Sequence, residues 1–261
     1  MVIAFWGCDS CCIFSPAHGT LAGTHVLTIH SRGTIIVPII VPLTQALGPP
    51  THGIGTLKSK LAFITGLLGT AFVILLTAVG GQYFPNYSHA SQFISELGGL
   101  GAPNALVVNF AGFLPAGVLI SAFALLAWQI LPRSRKTTLG MIGLLLYAVG
   151  YIAAAFFPCE AGCRPPQPSL SQVVHNILGL SGYVFAPLTL AILGWEARKW
   201  PNAHHLSIVS FIGSCFALAG LFLLSPDFQY VGIAQRVLEA SVLVWVVVCS
   251  FYIKTSSARM A

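Results

Sequence analysis

The chain has 261 residues, of which 56% are hydrophobic and only 7% are charged, whereas a soluble domain holds about 25% charged residues. Its mean hydropathy of +0.85 therefore excludes an ordinary soluble protein and indicates an integral membrane protein. The formal net charge is +6, but the basic residues form no continuous basic face, so nucleic acid is excluded as a partner.

Residues 1–56 form an N-terminal extension without a clear hydrophobic pattern. The apolar run at 34–47 is interrupted by two prolines and is shorter than the roughly 20 residues that a membrane helix needs. Cys8 and Cys11 have the spacing of a metal or redox pair, but no second pair of ligands accompanies them. We expect the extension to be disordered and assign residues 57–261 to the membrane domain.

Six apolar runs follow, each nearly free of charge and separated from the next by a short polar loop. A helix of about 20 residues rises about 1.5 Å per residue and so crosses the roughly 30 Å of bilayer hydrocarbon. The predicted fold class is therefore an all-α membrane protein, a bundle of six transmembrane helices. The runs are 61–80, 105–131, 138–157, 173–195, 206–225 and 233–253.

The basic residues occupy every second loop, and this pattern predicts the orientation of the chain. The loops 81–104, 158–172 and 226–232 contain a single basic residue, Arg164. Because basic loops stay in the cytoplasm, we predict a multi-pass protein of the cell inner membrane with both termini in the cytoplasm. The other loops and flanks carry Lys58, Lys60, Arg133, Arg135, Lys136, Arg198, Lys199, Lys254 and Arg259.

The first outer loop contains a polar stretch with helical spacing at 86–98. His89, Gln92 and Glu96 recur at three and four residues, so one face of a helix would present an imidazole, an amide and a carboxylate. The other side is apolar, and Gly98 can end the helix. We predict a short amphipathic helix that lies at the mouth of the bundle.

The sixth run carries two charged residues at a depth where a charged side chain needs a partner or a polar cavity. Arg236 and Glu239 are three residues apart, and Gln235 and Glu239 are four apart, so the three side chains can meet on one helical surface. One interpretation is an ion pair between Arg236 and Glu239 that only stabilises the bundle. The alternative is a functional site.

The fourth run begins with polar residues at the same outer level. A histidine near the membrane interface often only bonds to a neighbouring helix, but here three separate segments bring polar groups to one side. We therefore predict one outward-facing polar pocket. Its predicted ligand-binding residues are His89, Gln92, Glu96, Gln172, His175, Asn176, Gln235, Arg236 and Glu239.

Several motifs resemble those of a prokaryotic multi-pass membrane family catalogued as domain of unknown function 998. The most specific combination is Ser-Glu-Leu-Gly at 95–98 with Gly-Ala-Pro at 101–103. The others are Phe-Pro-Cys-Glu-Ala-Gly-Cys at 157–163, His175-Asn176 with Gly179, and Gly-Ile-Ala-Gln-Arg at 232–236. The resemblance covers about residues 61–253 and implies the six-helix domain. It implies no activity, because the family has no agreed one.

Two functions are consistent with these observations. The one we favour is binding or processing of a lipid or small amphiphilic ligand from the membrane, with Arg236 or Arg164 as an anchor for an anion. The other is an accessory subunit that packs against partner membrane subunits in a larger complex.

An intramembrane hydrolase is a further alternative. The catalytic candidates would be His89 or His175 as base, Glu96 or Glu239 as acid, and Ser91 or Ser95 as nucleophile. A metal site is not predicted, since no His-x-x-x-His or Glu-x-x-His motif is present. No nucleotide-binding glycine-rich loop occurs either, so no cofactor is predicted.

Cys159 and Cys163 lie in the second outer loop, on the side of the membrane that permits disulfides. They are separated by three residues just before Pro165 and Pro166. We predict a disulfide between them.

Overall fold

The computed structural model describes residues 26–31, 33–38, 52–225 and 227–260. Two strands, β1 (Val26–Ser31) and β2 (Gly33–Pro38), form an antiparallel hairpin in which Val26 pairs with Pro38. The expectation of disorder for the remaining residues up to 51 falls outside the described residues.

Residues from 52 onward form a separate unit, in which all described regular elements are helical. Its long helices are α1 (His52–Tyr83), α2 (Ala105–Ile130), α3 (Arg135–Phe156), α4 (Leu170–Ala197), α5 (His204–Phe222) and α6 (Val231–Met260). Each is long and apolar enough to cross a membrane. The predicted six-helix membrane fold is confirmed, and α1 begins ahead of the predicted domain boundary at residue 57.

The six helices close into a ring, because each packs against its neighbours in sequence and α1 also packs against α6. Large side chains such as Phe123 and Trp245 fill the interior and are fully buried. We call the end that carries the loops 84–104, 157–169 and 223–230 the outer end of the bundle, and the opposite end the inner end.

Glycines allow neighbouring helices to approach closely around α3. A Cβ atom on Gly182 of α4 would lie 2.7 Å from the Cα atom of Tyr147 on α3. A Cβ atom on Gly117 of α2 would lie 2.8 Å from the carbonyl oxygen of Ala148, also on α3. Small residues at such contacts are the usual means by which helices pack in lipid. The close approach at Gly182 brings Tyr147 against α4.

The helix predicted in the first outer loop is present, but it is a 3₁₀ helix restricted to Ile94–Gly98. Phe93 stays extended, because its N–H donates to the Glu96 carboxylate at 2.8 Å and its carbonyl accepts the Tyr87 hydroxyl at 2.9 Å. These bonds replace those that a longer helix would make. The helix therefore starts later than residue 86 but ends at Gly98, as predicted.

The outer-loop helix rests directly on the outer end of α2. The α2 backbone is π-helical at Val108–Phe113, and Asn109 within this segment donates its Nδ2 hydrogen to the carbonyl of Gly98 at 2.9 Å. A Cβ atom on Gly98 would lie 2.9 Å from the Phe113 ring. Only glycine therefore fits at this contact, which positions the loop over the centre of the bundle.

Candidate functional site

A cavity of about 300 Å³ lies in the outer half of the bundle, between the outer-loop helix and helices α2, α3, α4 and α6. Its apolar lining includes Phe93, Phe113, Ala154, Leu180 and Leu224. Its polar lining consists of Ser95, Tyr147, Tyr151, His175, Asn176, Tyr183, Gln235 and Glu239, together with the disulfide sulfur of Cys163. The cavity thus combines apolar walls with one concentrated polar region.

The polar region is centred on Glu239 of α6, whose side chain is only 3% exposed. Its Oε2 atom accepts the hydroxyls of Tyr147 and Tyr151 on α3, the latter at 2.5 Å, and its Oε1 atom accepts the hydroxyl of Tyr183 on α4. The phenol oxygens of Tyr147 and Tyr151 are 3.2 Å apart. Three phenols from two helices therefore hold the acid, which is how a polar group can be buried inside a bundle.

Gln235 fixes the direction of the hydrogen bonds in this cluster. Its Oε1 atom accepts the backbone N–H of Ile94 at 2.7 Å, and its Nε2 atom donates to the Tyr183 hydroxyl oxygen at 2.8 Å. Because a backbone N–H can only donate, the amide has a single possible orientation. The hydrogen of the Tyr183 hydroxyl is then left to donate to Glu239.

His175 lies at the cavity wall nearest the second outer loop. Its Nδ1 atom is 2.9 Å from the carbonyl oxygen of Phe157. A carbonyl can only accept, so Nδ1 carries a hydrogen, and in the neutral imidazole Nε2 is the free acceptor. The neighbouring Asn176 accepts the Nε2 hydrogen of Gln172 at 2.8 Å. One ring nitrogen of His175 is thus fixed by the second outer loop, and among the described residues no hydrogen bond engages the other.

Gln172 is fully buried and connects the second outer loop to α4. Its Oε1 atom accepts the backbone N–H of Glu160 at 2.8 Å, and the Glu160 carboxylate accepts the backbone N–H of Ser169 at 3.0 Å. Ser171 donates to the carbonyl of Pro158 at 2.8 Å. Gln172 therefore supports the cavity from behind and does not line it.

Arg236 bonds to the first outer loop and lies outside the cavity lining. Its NH2 atom donates to the Tyr87 hydroxyl at 2.7 Å and to Nδ1 of His89 at 3.0 Å. Its NH1 atom donates to the carbonyls of Gln92 at 3.1 Å and Gly232 at 2.9 Å. The guanidinium therefore fastens the loop segment 87–92 to α6.

The ion pair considered between Arg236 and Glu239 is not formed. Among the described residues the one ion pair is that of Lys199 with Glu196, at 2.8 Å. Side chains three residues apart point about 60° apart around a helix axis, so Arg236 reaches the loop while Glu239 reaches the tyrosines. The two charged groups of α6 thus serve different neighbours.

His89 and Glu96 belong to the loop and do not line the cavity. The pKa of His89 is lowered by its partial burial and then by the positive charge of Arg236. Burial also raises the pKa of Tyr87, against the lowering effect of the same guanidinium. Glu96 accepts the Nε2 hydrogen of Gln92 at 2.9 Å and is largely buried. These groups stabilise the loop that covers the cavity.

The predicted disulfide is present, because Cys159 and Cys163 are bonded with their Cα atoms 5.0 Å apart. The Ser95 hydroxyl lies 3.4 Å from the sulfur of Cys163, and the backbone N–H of Leu100 donates to the carbonyl of Cys159 at 2.7 Å. The disulfide thus connects the two outer loops at the rim of the cavity.

The structure brings four of the nine predicted ligand-binding residues to the cavity and leaves five behind its wall. The four are His175, Asn176, Gln235 and Glu239, and the five are His89, Gln92, Glu96, Gln172 and Arg236. Sequence analysis missed Tyr147, Tyr151 and Tyr183. The sequence feature that could have revealed them is their depth. Two tyrosines lie four residues apart inside the third run and one lies deep in the fourth run, away from the membrane interfaces where tyrosine is common.

Within the described part of the chain, no hydrogen bond joins the hydroxyl of Ser91 or Ser95 to the candidate bases for hydrolysis, His89 and His175. The Ser95 hydroxyl contacts the disulfide, and Ser91 bonds through its backbone N–H to Ser88 at 3.3 Å. Among the described residues, no three His, Cys, Asp or Glu side chains lie close enough together to hold a metal ion.

The ring of six apolar helices, with a polar cavity inside one half, defines a multi-pass membrane protein. The sequence pattern of the family described as protein of unknown function (DUF998) matches residues 67–252, and the chain belongs to this family. Comparison with curated proteins and with solved structures finds no match to the chain.

Proposed function

We propose that this protein binds a lipid or a small amphiphilic ligand in the cavity beside Glu239. The observation that carries the proposal is the division of the cavity lining. One part is apolar, with Phe113, Leu180 and Leu224, and the other is the cluster of Glu239 and its tyrosines. A ligand with a polar head and an apolar chain matches both parts.

The volume of about 300 Å³ is at the lower end of the range for ligand pockets, which is roughly 300–1,000 Å³. It suits a head group with a short length of chain. Leu180 lies within α4 and also lines the cavity, and 48% of its surface is exposed on the side of the bundle. A longer chain would therefore leave the cavity past Leu180 and enter the lipid.

We also propose that the protein resides in the inner membrane with both termini in the cytoplasm. Each described inner connection is basic, since residues 131–134 contain Arg133 and residues 198–203 contain Arg198 and Lys199. The described residues of the outer loops include a single lysine or arginine, Arg164. The positive-inside rule then places the cavity in the outer leaflet.

Mass spectrometry of molecules that co-purify with the full chain tests the proposed binding. Gly179 lines the cavity, and a Cβ atom built there meets no other heavy atom within 4 Å. A side chain can therefore start at this position without a clash, and Gly179→Leu should take up part of the cavity volume. We expect a lipid or amphiphile in wild-type protein and its loss from Gly179→Leu.

Val184→Leu provides the matched control, because Val184 lies on the same helix, is 47% exposed and does not line the cavity. This variant should retain the co-purifying molecule. Equal amounts of every bound lipid in wild type and Gly179→Leu would contradict binding in this cavity and would favour an accessory role in a complex.

A further inference from the structure

The described lining of the cavity contains one acidic side chain, that of Glu239, but no lysine or arginine to balance its charge. Arg236, the nearest basic residue along α6, donates its hydrogen bonds to the first outer loop and to the carbonyl of Gly232 on its own helix. Arg164 lies with its guanidinium carbon 5.0 Å from the centre of the Phe93 ring and is exposed. The acid at the centre of the cavity therefore lacks a paired cation.

Burial disfavours the ionised form of Glu239, and the hydrogen-bond donors around the carboxylate offset part of this cost. Gln235 directs the Tyr183 hydrogen towards Oε1, and Tyr147 and Tyr151 both contact Oε2. A protonated carboxyl would have to donate a hydrogen to one of these phenols, whereas a carboxylate accepts from all of them. Hydrogen bonds to the charged form stabilise it.

Aromatic rings surround the same carboxylate. The ring centres of Tyr147 and Tyr151 are 5.5 Å apart, and those of Tyr147 and Tyr183 are 6.5 Å apart. Phe93 and Phe113 complete the aromatic lining. Aromatic rings attract a cation placed over their faces, and cavities lined by several rings are common sites for quaternary ammonium groups.

We propose that the ligand of this cavity is an amphiphile with a positively charged ammonium head group, bound between the Glu239 carboxylate and the tyrosine rings. The inference rests on the proposed function and specifies its ligand class. An ammonium ion supplies the positive charge that the lining lacks. A neutral or anionic head would leave the carboxylate without a counterion in a medium where charges are poorly solvated.

Calorimetric titration of the full chain in dodecyl maltoside micelles tests this head-group preference, with empty micelles as the blank. Hexyltrimethylammonium, hexanesulfonate and hexanol share one chain and differ in charge. We expect hexyltrimethylammonium to bind at least about tenfold more tightly than the other two, as expected for one added charge pair in a partly dry site. Glu239→Gln should remove most of this difference.

Asp227→Asn is the matched control, because it removes an exposed acid of the third outer loop and should leave all three affinities unchanged. Gly179→Leu should abolish binding of hexyltrimethylammonium, and this locates the site even if Glu239→Gln fails to fold. Tetramethylammonium, which has the head but no chain, should bind more weakly. Equal binding of tetramethylammonium would indicate a free water-soluble amine and contradict the amphiphile.

The two proposals fail in different ways. Binding of hexanesulfonate or hexanol as tight as that of hexyltrimethylammonium, and sensitive to Gly179→Leu, would overturn the ammonium preference but leave amphiphile binding intact. Failure of every probe to bind wild-type protein above the micelle blank would contradict both proposals.

Discussion

The side-chain carbonyl of Gln235 accepts the backbone N–H of Ile94 at 2.7 Å, and this bond joins α6 to the 3₁₀ helix of the first outer loop. The same side chain donates to Tyr183, which bonds to Glu239. The loop is thereby coupled to the buried acid through a single amide. Movement of the loop and rearrangement of the acid cluster should accompany each other.

Gln235→Leu should destabilise the protein by about 1–3 kcal/mol, because the N–H of Ile94 would be buried without an acceptor. Unfolding in mixed micelles, followed by circular dichroism against denaturant concentration, would measure the loss. Gln229→Leu is the control, since Gln229 is exposed at the same end of the bundle. Equal stability of the two variants would show that the Gln235 amide is dispensable.

Arg236→Lys should loosen the first outer loop and leave the Glu239 cluster in place. Lysine has one ammonium group and cannot reach Tyr87, His89 and two carbonyls together, as the guanidinium does. Hydrogen exchange of residues 87–93 should accelerate by roughly tenfold, as expected for the loss of about 1.4 kcal/mol of local stability. Arg198→Lys at the inner end is the control. Unchanged exchange in the loop would argue against this anchoring role.

His89 should make the loop sensitive to acid. Its pKa in the folded protein lies below the ordinary value of 6.5, through partial burial and then the charge of Arg236. A lowered pKa means that the folded state favours the neutral ring, so this stabilisation is present above about pH 6.5 and is lost as the pH falls through the folded pKa.

The test of this pH dependence compares wild type with His89→Asn, whose side chain can accept from Arg236 but does not titrate near neutral pH. The unfolding temperature of wild type should fall more than that of the variant between pH 8 and pH 5. Parallel curves for the two proteins would assign the acid sensitivity to other groups.

Reduction of the Cys159–Cys163 disulfide should lower stability by about 2 kcal/mol, the chain-entropy value for so short a loop. Melting with and without reductant would show the effect, and Cys163→Ser should abolish the response. Cys215→Ser should retain it, because Cys215 is a free thiol. A melting temperature indifferent to reductant in wild type would refute the prediction.

The proposed orientation predicts which exposed positions a membrane-impermeant maleimide can reach in intact cells. A cysteine at Gln167 in the second outer loop should label, and one at Arg133 in the first inner loop should label only after permeabilisation. Both residues are exposed, so access depends on the side of the membrane. Labelling of position 133 alone in intact cells would reverse the topology.

The sequence identified the polar residues of the fourth and sixth helices because polar groups are conspicuous inside apolar runs. It could not show that Arg236 and Glu239 have separate partners, since a spacing of three residues permits an ion pair as readily as two independent contacts. The tyrosines were overlooked for a related reason. A tyrosine within a membrane helix can face lipid, a neighbouring ring or a carboxylate, and its position in the sequence does not distinguish these.

The sequence by itself determined the six membrane helices, the disulfide pair and the end of the outer-loop helix at Gly98, because these depend on local hydrophobicity, on spacing along the chain and on glycine at the helix end. Only the tertiary structure decided which side chains share the cavity. Gly182 lets α3 and α4 approach until Tyr147 and Tyr183 both reach Glu239. That convergence joins residues far apart in the chain, and helix packing, which no local pattern encodes, sets it.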